Sequence, residues 1–319
     1  MTTIGRRTLA LGITAALASP AIAQAPRPVT FVVAYPAGGD TDAIARLFAD
    51  RMASRLGRQV IIENRSGASG VIGTQYVARV PPDGSILLFA PSTFPLAPLV
   101  LKQGATYHPV NDFTPVHLVA TTPMILIASR QSGIRSLSDV VAQARAGQLA
   151  GYGSPGSGSP MHIYGEMFNR LANVNLSEIA YRGVAPVVND LLSGSIGIGL
   201  VTIGAVADHL KAGTLVPVAI SEAQRSPVVP EVPTYKEAGY DLNVTTWWGL
   251  FGPRGLPAAM AETLNSHMND VLAQPDVQER LRALGAVPAG GPASRLADVN
   301  RTDFERFGRV VQELNIQVG

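Results

Sequence analysis

The 319-residue chain contains no cysteine. That absence excludes a disulfide framework, a thiolate zinc site, an iron–sulfur cluster and a cysteine nucleophile. Charge is also scarce: Asp, Glu, Lys and Arg make up 15% of the chain, against about 25% in an average globular protein. Aromatic residues are 6%. No segment approaches the 18 or so uninterrupted apolar residues of a membrane span. The formal charge is +2, but Arg6 and Arg7 lie in a short leader-like segment without acids. Without them the 25 basic residues fall to 23, equal to the 23 acidic ones. No Lys/Arg stripe remains to track phosphates, so a nucleic-acid partner is not expected.

What the chain does have is apolar mass. Hydrophobic residues are 46%, enough for a large core and more than one small domain needs. Residues 1–25 read as an export signal: Arg6-Arg7, an apolar run from Thr8 to Leu17, and the small residues Ser19-Pro20-Ala21-Ile22-Ala23. Cleavage after Ala23 is expected, leaving a soluble product that starts at Gln24 and resides in the periplasm. A retained anchor helix is the competing reading. The arginine pair raises twin-arginine export, and the route stays open.

Short apolar runs then alternate with helical spacing. Strands are expected at Val29–Tyr35, Val60–Ile62 and Ile86–Ala90. Ile44, Leu47, Phe48, Met52 and Leu56 share a helix face that Gly57 ends. Gly70–Val80 reads as a second helix. Further strands are expected at Val116–Val119, Met124–Ala128, Leu149–Tyr152, Ile179–Tyr181, Ile196–Val201, Val216–Ile220 and Val244–Phe251. Helices are expected at Leu137–Ala146, from the loop after Tyr152 to about Leu171, at Val184–Leu192, and over much of Pro257–Leu314. This alternation points to an α/β fold with a parallel sheet covered on both faces. No Pro/Gly/Ser linker divides the chain, so two lobes that exchange strands fit better than two consecutive domains.

Two strand-to-helix loops are candidate ligand sites. Tyr35-Pro36-Ala37-Gly38-Gly39-Asp40-Thr41-Asp42 joins the first strand to the first helix. Its glycines admit close backbone approach, and Asp40 or Thr41 can cap the helix, leaving N–H groups toward an anion. A plain capped turn explains the same residues equally well. The second loop is Gly153-Ser154-Pro155-Gly156-Ser157-Gly158-Ser159-Pro160-Met161-His162. Ser159 suits an N-cap and Pro160 a first helical position. The Gly/Ser density exceeds what a turn requires.

Other chemistries find little support. Gly151, Gly153 and Gly156, with Glu178 further on, match a dinucleotide fingerprint, but Pro155 stiffens the turn and an exported protein meets little free NAD. There is no G-x-S-x-G or H-E-x-x-H pattern. His162 and Glu166 are four apart and read as a local polar contact, not a metal pair. His108, His117, His209 and His267 lack partners at ligand spacing. No catalytic residue, metal or cofactor is therefore expected. An exported hydrolase with an unrecognised triad and a ligand sensor for a membrane signalling protein are the alternatives to a binding protein.

Several segments together resemble the Bug-type substrate-binding receptors of tripartite tricarboxylate transporters. They are the Tyr35–Asp42 loop, Val60–Arg65, Gly67–Gly73, Pro82–Gly84, Asp112–Pro115, Ser157–Ser159 with His162, and Tyr181–Gly183. Gln224–Ser226, Val232–Thr234, Trp248–Phe251 and Gly285-Ala286 complete the set. The resemblance implies a two-lobed periplasmic binding protein fold of type II-like kind, monomeric, that closes on a small organic carboxylate and presents it to a membrane permease. Lobe 1 would comprise residues 24–123 and 248–319, and lobe 2 residues 124–247. The resemblance places ligand contacts at Tyr35, Ala37, Gly38, Gly39, Thr41, Asp42, Ser92, Ser154, Gly156, Ser157, Gly158, Ser159, His162, Arg182 and Thr202. Where many relatives offer an acid, this chain has Leu200-Val201-Thr202, with Gly197 before it. A ligand without an α-ammonium group is expected from that, with Asp42, the remaining acid of the site, serving the helix terminus. Trp247 and Trp248 are expected in the core.

Overall fold

A computed structural model describes residues 27–101, 105–313 and 316. The expected leader and its expected cleavage site lie outside them. The described chain opens with β1 (Val29–Val33), α1 (Asp40–Leu56), β2 (Val60–Asn64), α2 (Val71–Ala78), β3 (Ile86–Pro91) and α3 (Thr93–Val100). These three strands are parallel, with Val29 opposite Val60 and Thr30 opposite Ile86. Helix α1 buries Ile44, Phe48 and Met52 on one face, and Gly57 ends it at φ 63°, a left-handed stop that glycine adopts without a Cβ penalty.

Strand β4 (Phe113–Ser129) is the longest element of the sheet, at 17 residues. Sequence patterning suggested two strands here, split at Thr121-Thr122-Pro123. The chain instead continues straight through, because Pro123 falls where the ladder changes partner. Residues 113–123 pair with β9 (Thr245–Pro253), while Met124 to Ala128 pair with β7 (Ile198–Thr202). A residue that donates no N–H is tolerated at such a switch, and Pro115 sits beside a register shift for the same reason.

Past β4 come α4 (Leu137–Arg145), β5 (Gly151–Ser154), α5 (Pro160–Ala172), β6 (Ser177–Ala180) and α6 (Val184–Ser193). After β7 follow α7 (Ala207–Lys211), β8 (Leu215–Ile220), then β9, α8 (Ala258–Leu272), α9 (Pro275–Ala283), β10 (Val287–Pro288) and α10 (Ala293–Glu313). The strand order is β2-β1-β3-β9-β4-β7-β5-β6, with β8 and β10 also on β4. The sheet is thus mixed, not parallel throughout: β9 runs antiparallel to β3 and β4, and β7 antiparallel to β4. The result is an α/β protein of two lobes that share β4. The apolar runs form separate cores, one around Phe31, Phe48 and Phe89 and another around Tyr152, Tyr164 and Phe168. Burying a side chain of this size stabilises the fold by about 1.5–3 kcal/mol.

Helix α3 was not among the expected elements; it contains Pro95 and Pro98. Pro95 occupies the third helical position, where its missing N–H has no partner to lose.

Candidate functional site

Beside Thr202 at the end of β7 and Thr246, Trp247 and Trp248 in β9 there is a cavity of about 410 Å³. Four helices begin at its wall: α1 with Gly39, Asp40 and Thr41, α3 with Ser92 and Thr93, α5 with Ser159, Pro160 and Met161, and α6 with Gly183 and Val184. Each start carries N–H groups without partners inside its helix and the positive end of a dipole. Tyr35, Pro36, Pro91, Pro155, Thr202, Thr246, Trp247 and Trp248 complete the lining. No Lys, Arg or His is among these residues. The positive potential in the lining thus comes from backbone dipoles, Asp40 is an acid within it, and apolar surface makes up much of the rest.

The first loop is fixed by Asp42. Its carboxylate accepts from Gly38 N (2.9 Å), Arg46 Nε (2.9 Å) and Asn64 Nδ2 (3.0 Å). The Arg46 guanidinium foremost holds its pKa down, to about 2. Asp42 is thus spent on the loop and does not line the cavity. Ala37 and Gly38 also lie outside the lining, and Gly38 turns the chain at φ 86°. Thr41 does face the cavity, and its Oγ1 accepts from Trp248 Nε1 at 3.1 Å. Tyr35 bonds Thr93 Oγ1 and donates to Ser69 O at 3.2 Å. Burial pushes the Tyr35 phenol up to about 12.

The second loop is braced from beneath by Glu178 on β6. Ser154 Oγ donates to its Oε1, Ser157 Oγ donates to Oε2 at 2.5 Å, and His162 Nε2 lies 3.6 Å from Oε2. Gly156 N donates back to Ser154 Oγ (3.1 Å), and Gly158 N to His162 Nδ1 (3.0 Å). Ser154, Gly156, Ser157, Gly158 and His162 are therefore absent from the lining: their polar atoms hold the loop. Ser159 does line the cavity and caps α5, accepting from His162 N at 3.2 Å. Arg182, the candidate charge partner, is exposed and outside the lining, next to Gly183 within it.

The apparent dinucleotide fingerprint has a packing explanation. A Cβ on Gly153 would lie 2.6 Å from Ile196 and 3.0 Å from Val187, and one on Gly151 would overlap Ser177 O. The hydrolase reading also loses its geometry, since the hydroxyls of Ser154 and Ser157 donate to a carboxylate and not to a histidine. His162 and Glu166 do not pair: Glu166 accepts from Tyr152 OH at 2.8 Å. No cluster of possible metal ligands occurs among the described residues.

Two expectations need correction. Val201 is 0% exposed and packs in a core with Ile125 and Ile220, so it says nothing about the ligand. Thr202, one residue on, lines the cavity, 9% exposed, with Oγ1 lacking any partner. Asp42 is not the acid that faces the cavity. Asp40, which sequence reasoning treated as a capping candidate, is on its wall, and Gly39 is the N-cap. The ground for excluding an ammonium-bearing ligand is thereby removed. Trp247 and Trp248 are buried, as expected of core residues, and also wall the cavity.

The family described as "Tripartite tricarboxylate transporter family receptor" matches residues 44–316. Protein BugT of Bordetella pertussis is 33% identical, over 94% of this chain and 94% of its own. Among solved structures, an R. palustris protein with adipate has a TM-score of 0.80 at 31% identity, covering 92% of this chain and 99% of that one. MatC from Rhodopseudomonas palustris, with bound malate, has a TM-score of 0.78 at 32% identity, covering 90% and 99%.

Proposed function

The chain belongs to the tripartite tricarboxylate transporter receptor family, a family of solute-binding receptors and not of enzymes, and from that premise we propose that it captures a small carboxylic acid between its lobes and delivers it to a tripartite membrane transporter. The observation that carries this reading is the convergence of four helix starts on one cavity without a cation. A micromolar Kd corresponds to about 8 kcal/mol. Four or five backbone N–H groups at about 1.5–3 kcal/mol each for a charged acceptor reach that sum before association costs. The solved relatives that hold adipate and malate support the ligand class.

In this reading the lobes divide at residues 123/124, where β4 changes partners, and at 247/248, within β9. The α1 and α3 starts belong to one lobe, the α5 and α6 starts to the other. A carboxylate reached by both sets binds more tightly in the closed form, and that difference drives closure. The mature chain acts in the periplasm as a monomer, after loss of residues 1–23. Among the described residues no helix is long and apolar enough to cross a membrane.

A thermal-shift screen of mono-, di- and tricarboxylates tests the function, since a ligand of the folded state raises the apparent melting temperature. At least one carboxylate should raise it in a saturable way, and X-ray scattering should show compaction at saturation. No shift with any carboxylate would refute the reading.

A further inference from the structure

Asp40 and Asp42 both stand in the first turn of α1, yet their situations differ. Asp42 is neutralised by Arg46, Asn64 and the Gly38 N–H. Asp40 lines the cavity and has no hydrogen-bond or ion-pair partner among the described residues. With no lining cation, the cavity wall carries one uncompensated carboxylate. Two acids in the first turn of α1 offset the positive end of its dipole, while the first turns of α3, α5 and α6 contain none and so favour a ligand anion more strongly.

We infer that the site takes carboxylic acids with a single carboxylate and an apolar body, and that Asp40 turns away ligands with a second carboxylate at the far end. This rests on the carboxylate-receptor reading and narrows it. Two further observations point the same way. Trp247, Trp248, Met161 and Val184 give the ligand body an apolar wall. The Thr202 hydroxyl, buried in the lining with no protein partner, needs a polar ligand atom, because buried polar groups are normally paired. A neutral or cationic end group suits a place beside Asp40. Asp40 is exposed to solvent, so a second carboxylate there would meet a like charge across water, a repulsion of moderate size.

The test is calorimetry on the mature chain with ligands that share one six-carbon body: hexanoate, 6-hydroxyhexanoate, 6-aminohexanoate and adipate. Benzoate and terephthalate form a second, aromatic set. The wild-type protein should bind the amino and neutral-ended acids about tenfold or more tighter than the diacid of the same body. Asp40→Asn should shrink that spread by a similar factor, by strengthening diacid binding and weakening 6-aminohexanoate. Asp40→Ser, also compatible with a helix start, should act in the same direction, and melting curves establish that both variants fold. Equal or tighter diacid binding by the wild type, or a spread unchanged in both variants, overturns the inference and leaves the receptor reading intact. Failure of every carboxylate to bind overturns the receptor reading itself.

Discussion

Trp247 Nε1 donates a 2.8 Å hydrogen bond to Asp303 Oδ2, so an indole that walls the ligand cavity is held by the C-terminal helix α10. Asp303 is 2% exposed, and its other oxygen takes Arg306 Nη2 at 2.6 Å. Arg306 also donates to Asn243 O, just before β9. Cavity wall, α10 and the segment returning between lobes are therefore one polar network. Breaking a buried ion pair by removing one partner costs about 3–5 kcal/mol. Asp303→Ala should lose stability on that scale in urea unfolding and bind carboxylates more weakly. Trp247→Phe, which keeps the ring and loses one donor, should cost less. Equal losses would show that Asp303 acts only through the indole.

Glu178 organises the second loop without lining the cavity. Its two oxygens take the hydroxyls of Ser154 and Ser157, and His162 stands beside them. Such charge-assisted bonds are worth about 1.5–3 kcal/mol each. Glu178→Ala should therefore loosen residues 154–159 and weaken ligand binding about tenfold, equivalent to about 1.4 kcal/mol. Calorimetry against thermal melting separates the two effects. Wild-type affinity in this variant would show that the loop needs no brace.

Local pattern made part of this site legible. The spacing of Ile44, Phe48 and Met52 gave α1, and Ser159-Pro160 marked the start of α5. Gly39 and the Gly/Ser loop were visible as places where a ligand could approach backbone. What stayed hidden depends on contacts between distant segments. Glu178 reaches Ser154 because β5 and β6 are parallel neighbours, with Tyr152 opposite Glu178, and no spacing rule within either strand announces that pairing. The starts of α3 and α6 join the cavity through the strand order. Asp40 and Asp42 share the first turn of α1, and only the neighbours that the fold supplies, Arg46 and Asn64, turn Asp42 away while Asp40 stays on the cavity wall.

Gly204 and Gly285 meet backbone to backbone, one just after β7 and the other just after α9. A Cβ on Gly204 would overlap Leu284 O, and one on Gly285 would overlap Gly204 N. Thr122 Oγ1 donates to Gly285 O at 2.8 Å, tying the same point to β4. Forcing extra volume into a tight contact costs about 1–3 kcal/mol. Gly204→Ala should lose that much in urea unfolding. In the proposed division this contact lies between lobes, so the variant should also have a larger radius of gyration without ligand. An unchanged radius with lowered stability would confine the effect to local packing.

Two buried groups give pH dependences of opposite sign. His117 on β4 is 0% exposed, and its Nε2 is 3.3 Å from Asn269 Oδ1. Burial lowers its pKa from 6.5 to about 4. Between those values the unfolded chain takes up a proton that the folded chain does not, so stability falls as pH drops from 6.5 towards 4. The full shift is worth about 3 kcal/mol. Glu222 lines a second cavity with Arg295, Asp298, Asp303 and Arg306, and a third beside Arg225. Burial raises its pKa from 4.5 to about 7. Here the folded chain keeps a proton that the unfolded chain loses, so stability falls as pH rises from 4.5 through 7, and no further above that. The two slopes oppose each other between pH 4.5 and 6.5, so the wild type alone does not resolve them. His117→Gln should flatten the loss on the acid side, and Glu222→Gln the loss between pH 4.5 and 7. Urea unfolding from pH 4 to 8 reads both slopes independently of any constant cost of substitution. If either variant keeps the wild-type slope in its window, that group does not titrate as its burial requires.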